Sequence, residues 1–183
     1  KSLGLMMSKL ARRGPDSSGM WIDGSIGFGH QRLSIIDLSS LGSQPMVDEK
    51  LGLILVFNGT IYNYKSLRAV LISCGYIFFS NSDTEVIIKA YHYWGDECLE
   101  RLDGMFAFAI WDEATQKLFV TRDRMGIKPF YFNATSKSFT FASNSQALLT
   151  QDLDKSINPV ALQQQLSLHG VVPAPNTIIT GIQ

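Results

Sequence analysis

The sequence has few cysteines and no apolar run long enough to cross a membrane. Cys74 and Cys98 are its only cysteines, too few for a disulfide framework and without a metal-ligand spacing. The longest apolar runs, Leu51–Phe57 and Met105–Trp111, suit buried strands and fall far short of a bilayer span. We therefore expect no metal site, no membrane segment and a location in the reducing cytoplasm.

The sequence also lacks an excess of charge of either sign. Lysine plus arginine and aspartate plus glutamate number 16 each. A surface that binds nucleic acid needs surplus positive charge, so we expect no nucleic-acid partner. With 45% hydrophobic and 17% charged residues, the 183 residues fit one globular domain with a substantial core.

The most informative stretch is Leu53–Asn63, in which an apolar run meets the dipeptide Asn58-Gly59. Asn-Gly readily adopts positive φ, and two interpretations follow. In the first, a buried strand ends in a hairpin turn. In the second, the Asn58 amide and the Gly59 N–H form a polar corner that hydrogen-bonds a negative oxygen, as an oxyanion hole does.

Before this stretch, the pattern predicts a helix over Lys1–Arg12 and a hairpin of Met20–Ile22 with Ile26–Arg32. The segment Arg12–Asp16 between them either holds an anion or closes the helix. Arg32 has apolar neighbours and needs a partner, for which a structural salt bridge is one candidate. His30 fits a hydrogen-bonded core histidine.

After the stretch Leu53–Asn63, the segment Lys65–Cys74 has apolar residues at helical spacing and is followed by Gly75. This pattern predicts a helix with Cys74 buried on its apolar face. Ser82–Glu85 is a capping-box pattern that starts a second helix, and there the helix dipole favours an ionised Asp83. Asn158-Pro159 begins a last helix.

Four strands are predicted between these helices, over Met105–Trp111, Lys117–Arg122, Phe130–Asn133 and Ser138–Ala142. The charged loop Arg122–Pro129 is either a wall of a site or a connector. Paired helices between sets of antiparallel strands predict an α+β fold, a four-layer αββα sandwich of two antiparallel sheets.

Six motifs follow one another along the chain: Arg13–Asp16 (RGPD), Arg32–Asp37 (RLSIID), Asn58–Asn63 (NGTIYN), Ser82–Glu85 (SDTE), Gly104–Ala109 (GMFAFA) and Arg122–Pro129 (RDRMGIKP). Together they resemble the glutaminase domain of the asparagine synthetase family, a class II glutamine amidotransferase of the N-terminal-nucleophile hydrolase fold. The resemblance covers nearly the whole chain. It implies that residues 1–183 form one such domain, without its extreme N-terminus.

The resemblance implies hydrolysis of glutamine by a cysteine at the mature N-terminus, whose α-amino group acts as the base. Asn58 and the Gly59 N–H match the family's oxyanion hole. Arg32 matches the group that binds the glutamine carboxylate, and Asp83 matches a group that binds its ammonium. No cofactor is implied for this domain.

The same resemblance places Leu33, Ile35 and Ile36 along the glutamine pocket. Thr60 is also in the pocket, at a position where the family commonly has a glutamate, so Asp83 would bind the ammonium alone. The family's nucleophile precedes the RGPD motif by a strand and a helix, and we expect it upstream of Lys1. The chain as written is therefore expected to be inactive alone. An alternative function is a non-catalytic domain that binds glutamine or acts as a scaffold.

Ammonia released by the domain would pass to its own C-terminal synthetase domain, which would bind ATP and Mg²⁺ and is expected downstream. Two acceptors remain open, an aspartate-like molecule and N-acetylglutaminylglutamine. The segments Val47–Lys50, Phe57–Tyr64 and His169–Pro175 are similar to the N-acetylglutaminylglutamine amidotransferases. The sequence leaves the oligomeric state open, with a homodimer as one candidate.

Overall fold

The computed structural model describes residues 2–183, so Lys1 of the predicted first helix lies outside the described residues. The helices are α1 (Ser2–Leu10), α2 (Tyr64–Ser73), α3 (Asp83–Trp94), α4 (Ser145–Leu148) and α5 (Pro159–Ser167). The strands are β1 (Ser17–Asp23), β2 (Ile26–Arg32), β3 (Met46–Asp48), β4 (Leu53–Ile61), β5 (Gly104–Asp112), β6 (Lys117–Arg122), β7 (Tyr131–Ala134) and β8 (Phe139–Ala142). None of the helices in the described residues is long and apolar enough to cross a bilayer.

The chain divides into two compact units. Ala11–Lys128 forms the larger unit, and the residues up to Leu10 form the smaller unit together with Pro129–Gln183. Every residue that the resemblance assigns to the glutamine pocket lies in the larger unit. The smaller unit packs α1 and α4 with the β7–β8 hairpin around Met6, Leu148 and Ile182.

The larger unit is built on a four-stranded antiparallel sheet in the order β3-β4-β5-β6. β4 pairs with β5 along its whole length, from Leu53 opposite Asp112 to Ile61 opposite Gly104. Residues 53–57 are all buried, which explains why this half of the strand is continuously apolar rather than alternating. The sheet thereby presents the second half of β4, residues 58–61, as a rigid support.

Helices α2 and α3 bury their apolar stripes in the same cluster as this sheet, with Leu71 and Ile87 packed among the side chains that include Leu55. The β1–β2 hairpin forms a separate two-stranded antiparallel sheet, as predicted for Met20–Arg32. The predicted α+β class with layered antiparallel sheets is confirmed. The hydrogen-bonded sheets among the described residues number three, because both hairpins pair only within themselves.

The helix ends follow the predicted signals with two exceptions. Ser82 caps α3 by accepting the Thr84 N–H at 3.1 Å, and Gly75 follows α2 with φ 94°. The capping box is wrong in its second half, because the Glu85 carboxylate binds residues further upstream. The prediction that Cys74 is buried is also wrong, since it lies one residue beyond α2 and is exposed.

Candidate functional site

A cavity of about 280 Å³ in the larger unit is lined by residues of β2, β4, the first turn of α3 and the loops beside them. Its lining residues are Arg13, His30, Gln31, Arg32, Leu33, Ile35, Ile36, Gly42, Gln44, Phe57, Asn58, Gly59, Thr60, Ser82, Asp83, Thr84, Met105 and Lys128. All eight residues assigned to glutamine binding are among them. Their role in binding stays a prediction, but they share one cavity.

Asn58 and Gly59 lie inside β4 rather than in a turn. They pair with Ala107 and Phe106 of β5, and Gly59 does not have positive φ. A Cβ at Gly59 would lie 2.2 Å from the Met105 carbonyl oxygen, so the glycine is required by the close approach of β5. The hairpin-turn interpretation is therefore wrong, and the local φ preference of Asn-Gly is overridden by strand pairing.

The Gly59 N–H belongs to the edge of β4 that faces away from β5. N–H groups alternate along a strand, and those of Phe57 and Ile61 bind side chains from outside the sheet, Gln44 Oε1 at 2.6 Å and Asp83 Oδ2 at 3.1 Å. Gly59 lies between them on the same edge, where pairing with β3 has already ended at Leu55. Backbone and side-chain donors of residues 58 and 59 thus lie together at the cavity.

Arg32 is buried, with 7% of its surface exposed, and its partners are backbone carbonyls. Its guanidinium donates to the carbonyl of Ser39 at 3.0 Å, to that of Ile36 at 3.4 Å and to that of Asp37. No carboxylate among the described residues pairs with Arg32, so the salt-bridge interpretation is wrong. Its positive charge is left available to the cavity.

Asp37 also fixes the loop that Arg32 holds. The sequence by itself did not assign a role to this residue. Asp37 adopts φ 53°, and its carboxylate accepts the Ser39 N–H at 3.0 Å and the Asn81 N–H at 2.7 Å. Hydrogen bonds from Ser39 and Asn81 lower the pKa of Asp37. Asp37 thereby connects the loop after β2 to the segment that leads into α3.

Leu33 and Ile35 line the cavity although they expose 55% and 72% of their surface. They belong to the same loop, as does Ile36. The three apolar residues that the resemblance places along the pocket therefore belong to a surface loop. Arg32 holds the backbone of this loop by donating hydrogen bonds to its carbonyl groups.

Asp83 is the first residue of α3 and is 4% exposed. Its Oδ2 accepts the Ile61 N–H at 3.1 Å, which joins the end of β4 to α3. Burial raises the pKa of the Asp83 carboxyl, although N–H donors from Ile61 and Thr84 oppose this shift. Asp83 makes no salt bridge to Arg32.

A cluster of buried charges holds the segment just before Asp83. Glu85, which is fully buried, accepts the N–H groups of Phe79 at 2.9 Å and Ser80 at 2.7 Å. Lys89 lies 3.2 Å from Glu85 Oε1 and 2.8 Å from Asp48 Oδ2. This is why Glu85 does not complete the capping box. We call Asp48, Glu85 and Lys89 the charge cluster.

His30 is only partly the hydrogen-bonded core histidine that the sequence predicts. Its Nε2 lies 3.1 Å from the Phe57 carbonyl oxygen, but its Nδ1 is buried with no partner among the described residues. Burial lowers the pKa of His30 to about 4, and the nearby Arg32 charge acts in the same direction. The ring is therefore neutral at pH 7. The Asn58 Nδ2 donor is likewise buried and without a partner in that part of the chain.

Two cationic residues of the cavity were not assigned to the site, Arg13 and Lys128. Arg13 comes from the segment predicted either to hold an anion or to close the helix. Gly14 beside it lies so close to β2 that a Cβ would be 2.1 Å from the Gln31 carbonyl oxygen. The Arg122–Pro129 loop, predicted as either a wall or a connector, contributes Lys128.

The Asp123 carboxylate positions this loop by accepting the N–H groups of Ile127 at 2.8 Å and Lys128 at 2.9 Å. Burial by itself would raise the pKa of Asp123, but these donors outweigh it and lower the pKa. With Arg13, Arg32 and Lys128 against Asp83, the cavity lining has three cationic side chains and one carboxylate. Such a lining suits a ligand that carries a carboxylate as well as an ammonium group.

Neither cysteine lines the cavity. Cys74 is exposed, and Cys98 is buried in the apolar cluster of the larger unit, where burial raises the pKa of its thiol to about 12. A thiol with such a pKa is almost entirely protonated at pH 7 and is a poor nucleophile. The described residues contain no group of three or more His, Cys, Asp or Glu side chains that could hold a metal ion.

Comparison with known protein families gives a match over residues 1–183 to the family described as "Glutamine amidotransferase domain". Asparagine synthetase [glutamine-hydrolyzing] 1 of Bacillus subtilis (strain 168) is 42% identical over 173 residues, covering 94% of this chain and 27% of that protein. Asparagine synthetase [glutamine-hydrolyzing] 3 of the same organism is 38% identical over 182 residues, covering 97% and 29%.

A solved structure, the glutamine phosphoribosylpyrophosphate amidotransferase from B. subtilis complexed with ADP and GMP, matches with a TM-score of 0.59 and 25% identity. The match covers 70% of this chain and 30% of that one. This chain thus spans less than a third of the length of the two synthetases, and their activities belong to proteins with further residues.

Proposed function

The chain belongs to the glutamine amidotransferase domain family, and from this premise we propose that it is the glutaminase domain of an ATP-dependent amidotransferase of the asparagine synthetase type. It would release ammonia from glutamine for the synthesis of an amide. One observation carries the proposal. The eight assigned residues come from three motifs that are separated in the sequence, and they line a single cavity, with a cation, a carboxylate and amide donors among them.

In this proposal glutamine is bound at three points. Its α-carboxylate faces Arg32, aided by the positive charges of Arg13 and Lys128, and its ammonium faces Asp83. Its amide oxygen faces Asn58 Nδ2 and the Gly59 N–H. These donors lie on a fully paired strand, so they need little reorganisation when negative charge develops on that oxygen.

The thiolate that attacks the amide carbon would come from a cysteine outside the described residues. Attack forms a tetrahedral oxyanion, the C–N bond breaks, and the nitrogen leaves as ammonia after taking up a proton. Water then hydrolyses the thioester, which yields glutamate and restores the thiol. The residues of this chain bind the substrate and stabilise the oxyanion in both steps.

The acceptor of the ammonia is proposed on similarity alone. The relatives named above favour an aspartate-like acceptor, and the segments close to N-acetylglutaminylglutamine amidotransferases favour the dipeptide. ATP and Mg²⁺ would be bound by a synthetase domain outside this chain, and no step proposed here passes through them. We further propose a cytoplasmic location, and a homodimer stays a prediction.

A second candidate is a domain that binds glutamine without hydrolysing it. It is favoured by Thr60 at a position where the family commonly has a glutamate. Such a domain would keep the clamp of Arg32 and Asp83 but would release no ammonia.

The deciding experiment measures ammonia release from glutamine by the full-length protein and identifies its mature N-terminal residue by mass spectrometry. We expect an N-terminal cysteine and sustained hydrolysis, and we expect no hydrolysis by the 183-residue chain alone. Glutamine binding without hydrolysis by the full-length protein, together with another N-terminal residue, would establish the second candidate. Turnover by the 183-residue chain would show that the nucleophile lies within it.

A further inference from the structure

Two polar atoms of the cavity wall have no partner in the protein. His30 Nδ1 and Asn58 Nδ2 are both buried, and neither has a hydrogen bond among the described residues. Buried polar atoms are nearly always hydrogen-bonded, because an unpaired one costs its desolvation free energy. Both residues line the same cavity, so a ligand in the cavity is a natural source of the missing partners.

The two atoms have opposite hydrogen-bonding roles. A carbonyl oxygen only accepts, so the 3.1 Å contact with the Phe57 carbonyl requires that His30 Nε2 carries the proton. The ring is neutral, which leaves Nδ1 as an acceptor with a free lone pair. The Asn58 Nδ2 is a donor. A group that satisfies both must therefore offer an acceptor and a donor.

The positions of the two residues also fit one small ligand group. His30 and Arg32 are two residues apart on β2 and so face the same side of the strand. The hydrogen bond to Phe57 places the His30 ring beside the residue that precedes Asn58. His30 is thus held between the proposed carboxylate site at Arg32 and the amide donor of Asn58.

We propose that His30 is a specificity-determining residue whose Nδ1 accepts an N–H of the glutamine side-chain amide, while Asn58 donates to the oxygen of the same amide. This inference rests on the proposed function. The side-chain carboxamide is the glutamine group that carries an acceptor and a donor on one carbon atom. Both protein atoms are shielded from solvent, and the broad terminal torsion of Asn58 allows its amide to turn toward the ligand.

The contact explains how the site could distinguish glutamine from glutamate. The glutamate side chain is a carboxylate at pH 7 and has no N–H. One of its oxygens would face the Nδ1 lone pair, and two acceptors repel each other. The site would therefore bind the substrate amide and release the acid that hydrolysis produces.

The test uses L-methionine sulfoxide, whose S=O oxygen and S-methyl group stand in for the C=O and NH₂ of the glutamine side chain at nearly the same size but offer no N–H. Binding of glutamine and of this sulfoxide to the 183-residue chain is measured by calorimetry. We expect glutamine to bind about tenfold more tightly than the sulfoxide, the effect of one hydrogen bond whose loss leaves a buried acceptor unpaired.

Two variants form a matched pair. In His30→Gln the side-chain NH₂ can replace Nε2 toward Phe57, but no acceptor remains at the Nδ1 position. In His30→Asn the side-chain oxygen can replace Nδ1, but the donor to Phe57 is lost. We expect His30→Gln to reduce the preference for glutamine to about twofold or less, and His30→Asn to keep most of it.

Each outcome is decisive. An unchanged preference in His30→Gln, or no preference in the wild type, overturns the role of His30 while leaving glutamine binding intact. Failure of the wild type to bind either ligand overturns the proposed function as well. If His30→Gln does not fold, the ¹⁵N chemical shift of His30 Nδ1 in the wild type serves instead. It should move when glutamine is added and stay nearly unchanged with the sulfoxide, and an equal response to both ligands contradicts the proposal.

Discussion

Two groups of buried polar side chains near the start of α3 differ in how completely they are hydrogen-bonded. In the charge cluster, Lys89 contacts both Asp48 and Glu85, and Glu85 also accepts two backbone N–H groups. In the cavity wall, His30 Nδ1 and Asn58 Nδ2 have no partner in the described residues. Of the two groups, only the second leaves hydrogen-bonding capacity unused.

Such a difference is expected between residues that hold a fold and residues that face a ligand. A fully satisfied polar network rigidifies its surroundings, and the charge cluster does so for the segment that ends in Ser82 and Asp83. Unpaired buried groups cost stability and are expected where they serve binding or catalysis. Changes in the charge cluster should therefore act on stability, and changes in the cavity wall should act mainly on substrate handling.

The largest expected effect is on stability, from Lys89→Met. Methionine fills most of the volume but leaves the carboxylates of Asp48 and Glu85 buried without a counter-charge. We expect the free energy of unfolding to fall by about 3–5 kcal/mol, measured by urea denaturation. The control is Lys117→Met, whose salt bridge to Asp96 is exposed and whose loss should cost less than about 1 kcal/mol. Equal losses in the two variants would mean that the charge cluster is not a closed network.

The next largest effect should be on catalysis, from Asn58→Ala in the full-length protein. Loss of one preorganised oxyanion donor should lower kcat for glutamine by about 10²–10³-fold, with a much smaller change in KM. Synthesis from free ammonia should survive because it bypasses this site.

A matched control for Asn58→Ala is Asn133→Ala, which removes a hydrogen bond to the Gly181 carbonyl in the smaller unit. It should affect stability but not kcat. If Asn58→Ala kept kcat within a few-fold of normal while the protein stayed folded, Asn58 would have no part in stabilising the oxyanion.

The third effect is a pH dependence of stability that comes from His30. Its pKa of about 4 in the folded protein lies below the ordinary value of 6.5, so the unfolded chain binds more protons between these values. The contribution of the neutral His30 ring to the free energy of unfolding is fully present above about pH 6.5 and is lost as the pH falls toward 4. The loss should reach about 3 kcal/mol at most.

Denaturation of the wild type and of His30→Gln between pH 7.5 and 4.5 measures this contribution, since carboxylates titrate in both. The difference in unfolding free energy between the two proteins should shrink or reverse as pH decreases. His169→Gln, a change at an exposed histidine, should keep the wild-type profile. Parallel pH profiles for the wild type and His30→Gln would show that His30 is not the source of the pH dependence of stability.

The smallest of the four effects concerns the proposed amino-acid clamp. Arg32→Lys loses the planar fork and Asp83→Asn loses the negative charge, so each should raise KM for glutamine by about 10- to 100-fold. Arg101→Lys, which changes an arginine stacked on the Trp94 ring, is the control and should leave KM unchanged. An unchanged KM in both Arg32→Lys and Asp83→Asn would exclude the clamp.

Much of the fold could be predicted from local signals. The apolar run of β4, the cap at Ser82 and the Asn158-Pro159 start of α5 act over a few residues, and all three were confirmed. The order of the six motifs pointed to residues that do share one cavity. Arg13 and Lys128 were missed as lining residues because a charged loop residue has no local signal for the side it faces.

The interpretations that the structure rejects share a physical cause. The turn interpretation of Asn58-Gly59 depends on a local φ preference, but nine successive pairs between β4 and β5 override that preference. The pattern of Ser82–Glu85 predicted a reciprocal cap, but Glu85 instead binds Phe79, Ser80 and Lys89. In both, contacts that no short pattern encodes outweigh a local preference of about 1 kcal/mol or less.

The sequence by itself determined which residue types are present, where β4 and α3 begin and which family the motifs resemble. Only the tertiary structure decided which polar atoms are satisfied. His30 contacts Phe57, which is 27 residues away in the sequence. The hydrogen bonds between Lys89 and Asp48 and between Asn81 and Asp37 join residues that are 41 and 44 positions apart. Helix and strand signals depend on neighbours in the chain, whereas burial and hydrogen-bond pairing depend on neighbours in space. The distinction between the closed charge cluster and the open cavity wall is therefore absent from any local pattern.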